Sequence, residues 1–398
     1  MLTQDLHTRL FILQPTPFCN LDCQYCYLPD RDNKAKISLE IVEASFERLF
    51  SSNLVKDNVY IVWHCGEPLV AGLPFFKEAI SILEAVTKKY SKENSYTNGI
   101  QTNALLINEN WCEFFKEKKF SVGVSIDGPD FIHDRHRTTK RGIPTHQAVL
   151  KGWKLLQQYE INTNIIGVLT DFSLDYANEI HDFFASLNVS LVGFNMDEVE
   201  GTNLKSSFSP SNHSLKRFKK FMSELYGLVE SSKAFAVREF ELAKNLILET
   251  QDLEHGENRP FSIISVDHQG NFSTFAPELL TMKSDQYGDF IFGNVLNNSF
   301  HSSFNTDKYQ KVSQSIEKGI LLCKESCDYF DMCRGGSASN KYFERGSFQC
   351  DETTYCIFMK KAIIDVVLEE MEQRVNIYQD ELDWLYDDEN GCYMWQLS

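Results

Sequence analysis

The sequence lacks a long uncharged apolar run and an excess of positive charge. With 398 residues and 42% hydrophobic content, the chain can form one large or two modest cores, and we expect no membrane span. Lys and Arg number 39 against 56 Asp and Glu, which gives a formal net charge of −17. Because nucleic-acid binding depends on basic side chains that neutralise phosphates, this charge argues against a nucleic acid as the main partner.

The chain also lacks a signal peptide at its start, since Met-Leu-Thr-Gln-Asp-Leu-His-Thr-Arg contains no apolar core. We therefore expect a cytoplasmic protein whose eleven cysteines are kept reduced. In a reducing compartment, clustered cysteines indicate metal ligands rather than disulfides. No internal repeat or low-complexity tract appears.

Cys19, Cys23 and Cys26 place three thiols within eight residues, directly after an apolar, strand-like stretch at 10–14. Three thiolates can hold three corners of a [4Fe–4S] cube and leave the fourth iron open to a substrate or cofactor. Zinc is the main alternative, but a structural zinc site closes with a fourth Cys or His at short spacing, and the nearest downstream histidine is His64. A disulfide would leave one thiol unpaired. The triplet therefore predicts an iron–sulfur cluster with one open iron.

Polar residues follow the next apolar strands, in the segments 65–68, 100–103, 121–129 and 133–137. Together with the cysteine spacing, in which Tyr25 precedes the third cysteine, they resemble the radical S-adenosylmethionine (SAM) enzymes. The resemblance implies SAM as a cofactor, one catalytic [4Fe–4S] cluster and a 5′-deoxyadenosyl radical that abstracts a substrate hydrogen. It implies these cofactor-binding residues: Tyr25, Glu67, Thr102, Asn103, Ser125, Asp127 and Arg137. Cys65 stands where the family has glycine, and we expect it to be a buried small hydrophobe.

Apolar strands alternate with amphipathic helices from residue 10 to about residue 195. Six strands in this order predict an α/β fold with a parallel sheet, right-handed crossovers and ligands at the carboxyl ends of the strands. The resemblance implies the partial (β/α)6 barrel of the radical SAM enzymes.

A second group of cysteines lies in the last quarter of the chain: Cys323, Cys327, Cys333, Cys350 and Cys356. Five thiols within 34 residues indicate a metal site in a reduced protein. The group resembles the SPASM domain, an auxiliary-cluster extension of radical SAM enzymes that modify peptides. Two cysteines of the full pattern are missing, because 271–275 contains none and Ser337 occupies the place of another. We expect at least one auxiliary [4Fe–4S] cluster, with Cys323, Cys327, Cys333 and Cys356 favoured as ligands and Cys350 as a fifth candidate.

These assignments divide the chain into four parts. A radical SAM partial barrel is expected at 8–196, a helical bridge at 197–260, and a SPASM-like auxiliary iron–sulfur domain at 261–360. A C-terminal helix with an acidic, aromatic tail is expected at 361–398.

A finer resemblance, carried by 14–20, 26–31, 193–195, 272–279 and 352–356, is to the GrrM-type maturases, and it covers about residues 8–376. It implies that an aromatic ring carbon of a ribosomal precursor peptide is joined to the β-carbon of a residue two places on, which closes a three-residue cyclophane. The implied partners are that peptide and an electron donor such as flavodoxin or ferredoxin. Glu278 is the candidate base for the ring proton.

Two other classes of function stay open. One is a different radical SAM–SPASM peptide modification: a thioether or ether crosslink, an epimerised centre, or sulfatase formylglycine maturation. Sulfatase-maturing relatives carry an aspartate directly after a SPASM cysteine, and Ala276 at that position counts against the last reaction. The other class is a non-catalytic iron–sulfur electron carrier, against which Glu67, Ser125 and Arg137 argue.

Overall fold

The computed structural model describes residues 6–248, 256–280, 282–384, 386–387 and 392–393, with side chains as far as residue 374. The acidic, aromatic tail expected at the C-terminus lies outside the described side chains.

Strands and helices alternate in the first half of the chain, in the predicted order. The strands are β1 (Leu10–Leu13), β2 (Val59–Trp63), β3 (Tyr96–Thr102), β4 (Ser121–Ser125), β5 (Asn162–Leu169) and β6 (Leu191–Met196). The helices are α1 (Leu39–Ser51), α2 (Leu73–Lys89), α3 (Glu109–Glu117), α4 (Asp130–His136), α5 (His146–Gln158) and α6 (Ala177–Ser186).

Six further helices and eight strands of two to four residues follow in the described part of the chain. The helices are α7 (Asn212–Ser232), α8 (Arg238–Leu248), α9 (Asp307–Ser326), α10 (Phe330–Cys333), α11 (Ala338–Arg345) and α12 (Ile363–Trp384). The strands are β7 (Ala236–Val237), β8 (Ile263–Val266), β9 (Asn271–Thr274), β10 (Lys283–Ser284), β11 (Gly288–Asp289), β12 (Gly293–Asn294), β13 (Tyr386–Asp387) and β14 (Cys392–Tyr393).

Local sequence explains how these elements begin and which face they bury. Ser38 caps α1 by accepting a hydrogen bond of 3.2 Å from the Ile41 amide, and Phe46 on the inward face of that helix is completely buried. In β5, buried Ile165 alternates with Ile166 and Val168, which line a cavity inside the barrel. One face of the strand thus packs under the helices, and the other faces the barrel interior.

Ten strands form one sheet, in the order β12-β9-β8-β1-β2-β3-β4-β5-β6-β7. The predicted six strands pair in parallel and in sequence order, so the α/β fold with a parallel sheet is confirmed. The sheet also extends beyond β1, because β8 pairs in parallel with it and Ile263 lies opposite Leu10. The sequence pattern did not predict β7, β8, β9 and β12, because the regular alternation of strands and helices ends at about residue 195.

The part of the chain after residue 260 therefore shares a core with the barrel. The Phe11 ring of β1 lies 6.2 Å from the Phe300 ring, and both side chains are fully buried. The expected bridge consists mainly of α7 and α8, and α12 packs against both, with Lys219 Nζ 2.6 Å from Asp365 Oδ2. None of the described helices is both long enough and apolar enough to cross a membrane.

Candidate active site

A cavity of about 340 Å³ opens at the carboxyl ends of the barrel strands. This position is the one expected for a ligand site in a parallel α/β sheet. The cavity wall contains nearly all of the predicted cofactor residues: Cys19, Cys23, Cys26, Tyr25, Glu67, Thr102, Asn103, Ser125, Arg137 and the candidate base Glu278. Asp127 is the exception, because it lies behind Arg137 rather than in the wall.

The three-cysteine loop forms part of the wall of this cavity. The Leu21 amide donates to Cys19 Sγ at 3.5 Å, and the Arg137 guanidinium lies 3.9 Å from Cys23 Sγ. Burial raises the pKa of the Cys19 thiol to about 12 and that of Cys23 to about 11. The raised pKa values mean that these thiols stay protonated unless a positive charge compensates them, whereas the N–H groups directed at their sulfurs suit thiolates bound to iron.

A site for one zinc ion would need several of these side chains to surround a single point. Among the residues that the structure describes, no three or more His, Cys, Asp and Glu side chains converge as ligands of one ion. In a cubane cluster each cysteine binds a different iron, so its ligands need not converge on one point.

Asp127 organises the wall beside the cysteine loop. Its Oδ1 accepts a hydrogen bond of 3.0 Å from Arg137 Nε and one of 2.9 Å from the Val168 amide, and its Oδ2 accepts the Tyr25 hydroxyl proton. Asp127 is 1% exposed and Arg137 is 8% exposed. Burial and the Asp127 carboxylate raise the pKa of the Tyr25 phenol well above its usual value. Asp127 thus holds Arg137 and Tyr25 in place and has no free oxygen facing the cavity.

Glu67 is held by three donors at the end of β2. Its Oε1 accepts from the Leu69 amide at 3.0 Å and the Thr102 hydroxyl at 2.7 Å, and its Oε2 accepts from the Asn103 amide at 2.9 Å. Burial raises the pKa of this carboxyl to about 7 despite those hydrogen bonds. Gly66 before it has φ +70°, and a Cβ there would lie 2.3 Å from the Thr16 carbonyl, so the approach to Glu67 requires glycine.

Cys65 is buried, as expected, but its backbone has φ +72°, which a non-glycine residue rarely adopts. Its Sγ lies 3.9 Å from the Tyr27 hydroxyl, which in turn lies 3.4 Å from His64 Nε2. Tyr27 and His64 line the cavity, although neither was predicted from the sequence as a site residue.

Four further glutamates lie in the cavity wall: Glu198, Glu200, Glu257 and Glu278. Burial and repulsion by Glu278 raise the pKa of Glu198 well above its usual value. Burial, together with the charge of Glu257, raises the pKa of Glu278 to about 8. Asn340 Nδ2 donates to Glu198 Oε2. Of these four, only Glu278 was predicted from the sequence as a site residue. Glu198 and Glu200 follow the end of β6 closely, and this position could have indicated that they face the site.

A second, smaller cavity contains four of the five C-terminal thiols. Cys323, Cys327, Cys333 and Cys356 line it, whereas Cys350 is not in its wall. Ser337 lines both cavities, so the four-thiol cavity borders the main one. The four thiols in the wall are the ones favoured as ligands from the sequence, and Cys350 is the fifth candidate.

Comparisons with known sequences agree with this geometry. Residues 13–184 match the Radical SAM superfamily. Protein sll1766 of Synechocystis sp. is 44% identical over 373 residues, which cover 93% of this chain and 94% of that protein. The serine-type anaerobic sulfatase-maturating enzyme of Bacteroides thetaiotaomicron is 35% identical over 182 residues, 44% of this chain and 43% of that enzyme. The cysteine-type enzyme of Clostridium perfringens (strain 13) is 27% identical over 337 residues, 82% of this chain and 88% of that enzyme.

Solved structures share the whole architecture. The structure of anSMEcpe with bound AdoMet and Cp18Cys peptide has a TM-score of 0.74 at 24% identity, and the match covers 93% of this chain and 99% of that one. Streptococcus suis SuiB bound to precursor peptide SuiA has a TM-score of 0.63 at 15% identity, over 88% of this chain and 76% of that one. The predicted fold, the enzyme class and the cofactor class, SAM with [4Fe–4S] clusters, are confirmed. The chain belongs to the radical SAM superfamily and is a radical SAM enzyme.

Proposed function

We propose that this enzyme closes three-residue cyclophanes in a ribosomal precursor peptide. The observation that carries the proposal is the wall of the main cavity, which contains both the three-cysteine loop and the glutamates Glu198, Glu200, Glu257 and Glu278. The four-thiol cavity borders it at Ser337. A substrate in the main cavity would meet a site for hydrogen abstraction, a proton acceptor and, next to the cavity, a site for an electron acceptor.

A peptide substrate is supported by the structural neighbours. SuiB has been solved with its precursor peptide and anSMEcpe with a peptide, and both align with most of this chain. The net charge of −17 also favours a peptide over a polyanion. We infer that the second partner is a one-electron donor such as flavodoxin or ferredoxin.

The cofactor contacts follow from the cavity wall. Cys19, Cys23 and Cys26 would hold the catalytic cluster, and Glu67 and Arg137 present a carboxylate and a guanidinium that suit the amino and carboxylate groups of SAM. When bound, these cofactors supply a one-electron cleavage of a carbon–sulfur bond and, through it, removal of a hydrogen atom from an unactivated carbon. Tyr25, Thr102, Asn103 and Ser125 complete the wall of the proposed cofactor site, and Asp127 supports this wall from behind through Arg137 and Tyr25.

Joining a β-carbon to an aromatic ring removes two hydrogens from the peptide. One leaves the β-carbon as an atom, and the other leaves the ring as a proton and an electron. Glu278 is the proposed proton acceptor, because it lines the cavity and burial raises its pKa to about 8. A carboxylate with a raised pKa is a stronger base once it is ionised.

The electron acceptor is the auxiliary cluster in the four-thiol cavity. We assign Cys323, Cys327, Cys333 and Cys356 as its ligands, since all four line one cavity. Cys350 is left without a ligand role, because its Sγ lies outside that wall, 4.0 Å from the Ser347 carbonyl.

Sulfatase maturation is the second candidate, because sulfatase-maturating enzymes align with as much as 82% of this chain. The position after the missing SPASM cysteine argues against it. Ala276, which carries no carboxylate, occupies the position of the expected aspartate and is 1% exposed. The nearest glutamate along the chain is Glu278.

The proposed function is tested by anaerobic incubation of the reconstituted enzyme with SAM, a reductant and the precursor peptide encoded beside it. We expect 5′-deoxyadenosine and a loss of two hydrogens per crosslink, with fragmentation that locates the ring between an aromatic residue and the residue two places on. Treatment with a hydrazide distinguishes the two candidates, because a formylglycine aldehyde reacts and a cyclophane does not. An aldehyde in a sulfatase-derived peptide, with the precursor peptide unchanged, would establish the second candidate instead.

A further inference from the structure

The wall of the four-thiol cavity contains a buried lysine that none of the steps above uses. Lys341 of α11 is 4% exposed and lines this cavity. Its Nζ donates to the Gly319 carbonyl at 2.9 Å and lies 3.1 Å from Cys323 Sγ. Lysine is almost never fully buried unless a partner compensates its charge.

The partner of Lys341 is not a carboxylate. Within the described part of the chain, no Asp or Glu oxygen lies within ion-pair distance of Lys341 Nζ, whereas Lys361 in the same wall lies 2.7 Å from Glu352 Oε1. Burying an ammonium without a counter-charge is unfavourable, because water no longer solvates it. Four thiolates on an iron–sulfur cluster carry net negative charge, and such a cluster would supply the missing anion.

Backbone packing fixes this contact. Gly319 lies on α9, one turn before Cys323, and a Cβ at Gly319 would lie 2.0 Å from the Phe348 carbonyl and 3.3 Å from Lys341 Nζ. The absence of a side chain at Gly319 therefore leaves room for the ammonium to reach both the Gly319 carbonyl and the Cys323 sulfur. The hydrogen bonds hold Nζ at the sulfur, not in solvent.

We propose that Lys341 raises the reduction potential of the auxiliary [4Fe–4S] cluster and so makes it a better electron acceptor. Net charge and hydrogen bonds to the sulfurs are among the factors that set the potential of such clusters, and Lys341 supplies both. The inference rests on the auxiliary cluster assigned above and adds a residue that acts through Cys323. It does not depend on which bond the enzyme forms in the peptide.

The test measures the auxiliary cluster alone. In the full-length C19A/C23A/C26A variant the catalytic cluster cannot form, so a potentiometric titration followed by electron paramagnetic resonance reports only the auxiliary cluster. Adding Lys341→Met should lower the midpoint potential enough to change the ratio of oxidised to reduced cluster at least tenfold at a fixed potential, which is 59 mV for one electron. Lys341→Arg, which keeps the charge, should shift the ratio much less.

Lys361→Met is the matched control, because it removes one positive charge from the same wall where Glu352 already balances it and the side chain is 25% exposed. Its effect should be smaller than that of Lys341→Met. If the methionine variant does not retain iron, Lys341→Gln, which keeps an N–H donor without the charge, takes its place in the titration. An unchanged ratio in a variant with full iron content, or equal shifts for Lys341 and Lys361, would overturn the role of Lys341. A triple variant that binds no iron would instead overturn the auxiliary-cluster assignment.

Discussion

Glu278 combines burial with access to the cavity, and this combination sets how its protonation should affect the reaction. The carboxyl is neutral below its pKa of about 8 and becomes a carboxylate above it. A group that must accept a proton works only in the deprotonated form, so its contribution is lost as pH falls through that pKa. The proposed cofactor contacts, made by Glu67 and Arg137, do not include this carboxyl.

The rate of crosslink formation should therefore rise with pH through about 8 in the wild-type enzyme. Glu278→Gln should lose most of the crosslink, since a loss of about 10²–10⁴-fold is typical for a proton-transfer group, and should keep SAM cleavage. Single-turnover assays across pH, read for deoxyadenosine and for peptide mass, measure both. Glu84→Gln, at an exposed site far from the cavity on α2, is the control. If Glu278→Gln crosslinks at the wild-type rate, another group is the base.

Asp127 is a buried carboxylate that supports the wall of the proposed cofactor site. It accepts hydrogen bonds from Arg137, Tyr25 and the Val168 amide, so removing its charge leaves the buried Arg137 guanidinium uncompensated. Asp127→Asn should destabilise the fold by about 3–5 kcal/mol, the usual cost of breaking a buried pair, and should weaken SAM binding. Chemical denaturation and equilibrium binding of SAM check the two effects. Asp130→Asn, an exposed aspartate three residues later, should change neither.

The cysteine loop after β1 and the cysteine-rich segment from α9 to α12 have separate roles in the proposal. The first lines the main cavity and the second forms its own cavity, and the two meet at Ser337. Because they are separate, the loss of one cluster should not remove the chemistry assigned to the other.

Cys23→Ala should abolish SAM cleavage, and Cys333→Ala should leave cleavage in place while the crosslink is lost. Cys112→Ala is the matched control, because Cys112 is fully buried in α3 and lines neither cavity. It should retain both activities. Deoxyadenosine and product mass are measured for each variant after its iron content has been checked. Equal loss of cleavage in Cys23→Ala and Cys333→Ala would show that the auxiliary cluster is structural.

The molecule is built around one sheet that crosses the boundary proposed at residue 260. β8 and β9 continue the sheet from β1, and Phe11 packs against Phe300. The Thr8 hydroxyl donates to the Phe261 carbonyl at 2.8 Å. A barrel without these residues would expose the edge of β1 and the apolar side chains beneath it.

A chain ending at residue 260 should therefore fail to fold as a stable monomer. We expect it to aggregate, or to unfold without the cooperative transition that the full chain shows in urea. Size-exclusion chromatography and circular dichroism during denaturation measure this directly. A truncated chain with a single sharp transition, comparable to that of the full chain, would show that the barrel is an independent domain.

Short sequence patterns were enough to predict the three-cysteine loop and most of the residues near it in the cavity wall. The spacing of Cys19, Cys23 and Cys26 is short enough to be read without a fold, and β1 to β6 alternate with amphipathic helices along the sequence. Since parallel strands end at one edge of a sheet, the polar residues that follow them, Glu67, Thr102 and Ser125, could be expected to lie together. Their roles, and the choice of Arg137 after α4, came from the resemblance to the radical SAM enzymes.

Only the tertiary structure decided which distant residues meet. Glu198, Glu257 and Glu278 come from separate segments of the chain, and Lys341 reaches Cys323 from a different helix. The sequence already favoured Cys323, Cys327, Cys333 and Cys356 over Cys350 as ligands, and the structure adds that these four line one cavity whereas Cys350 does not. Contacts between residues far apart in the chain depend on how the whole core packs, and local periodicity carries no record of that packing.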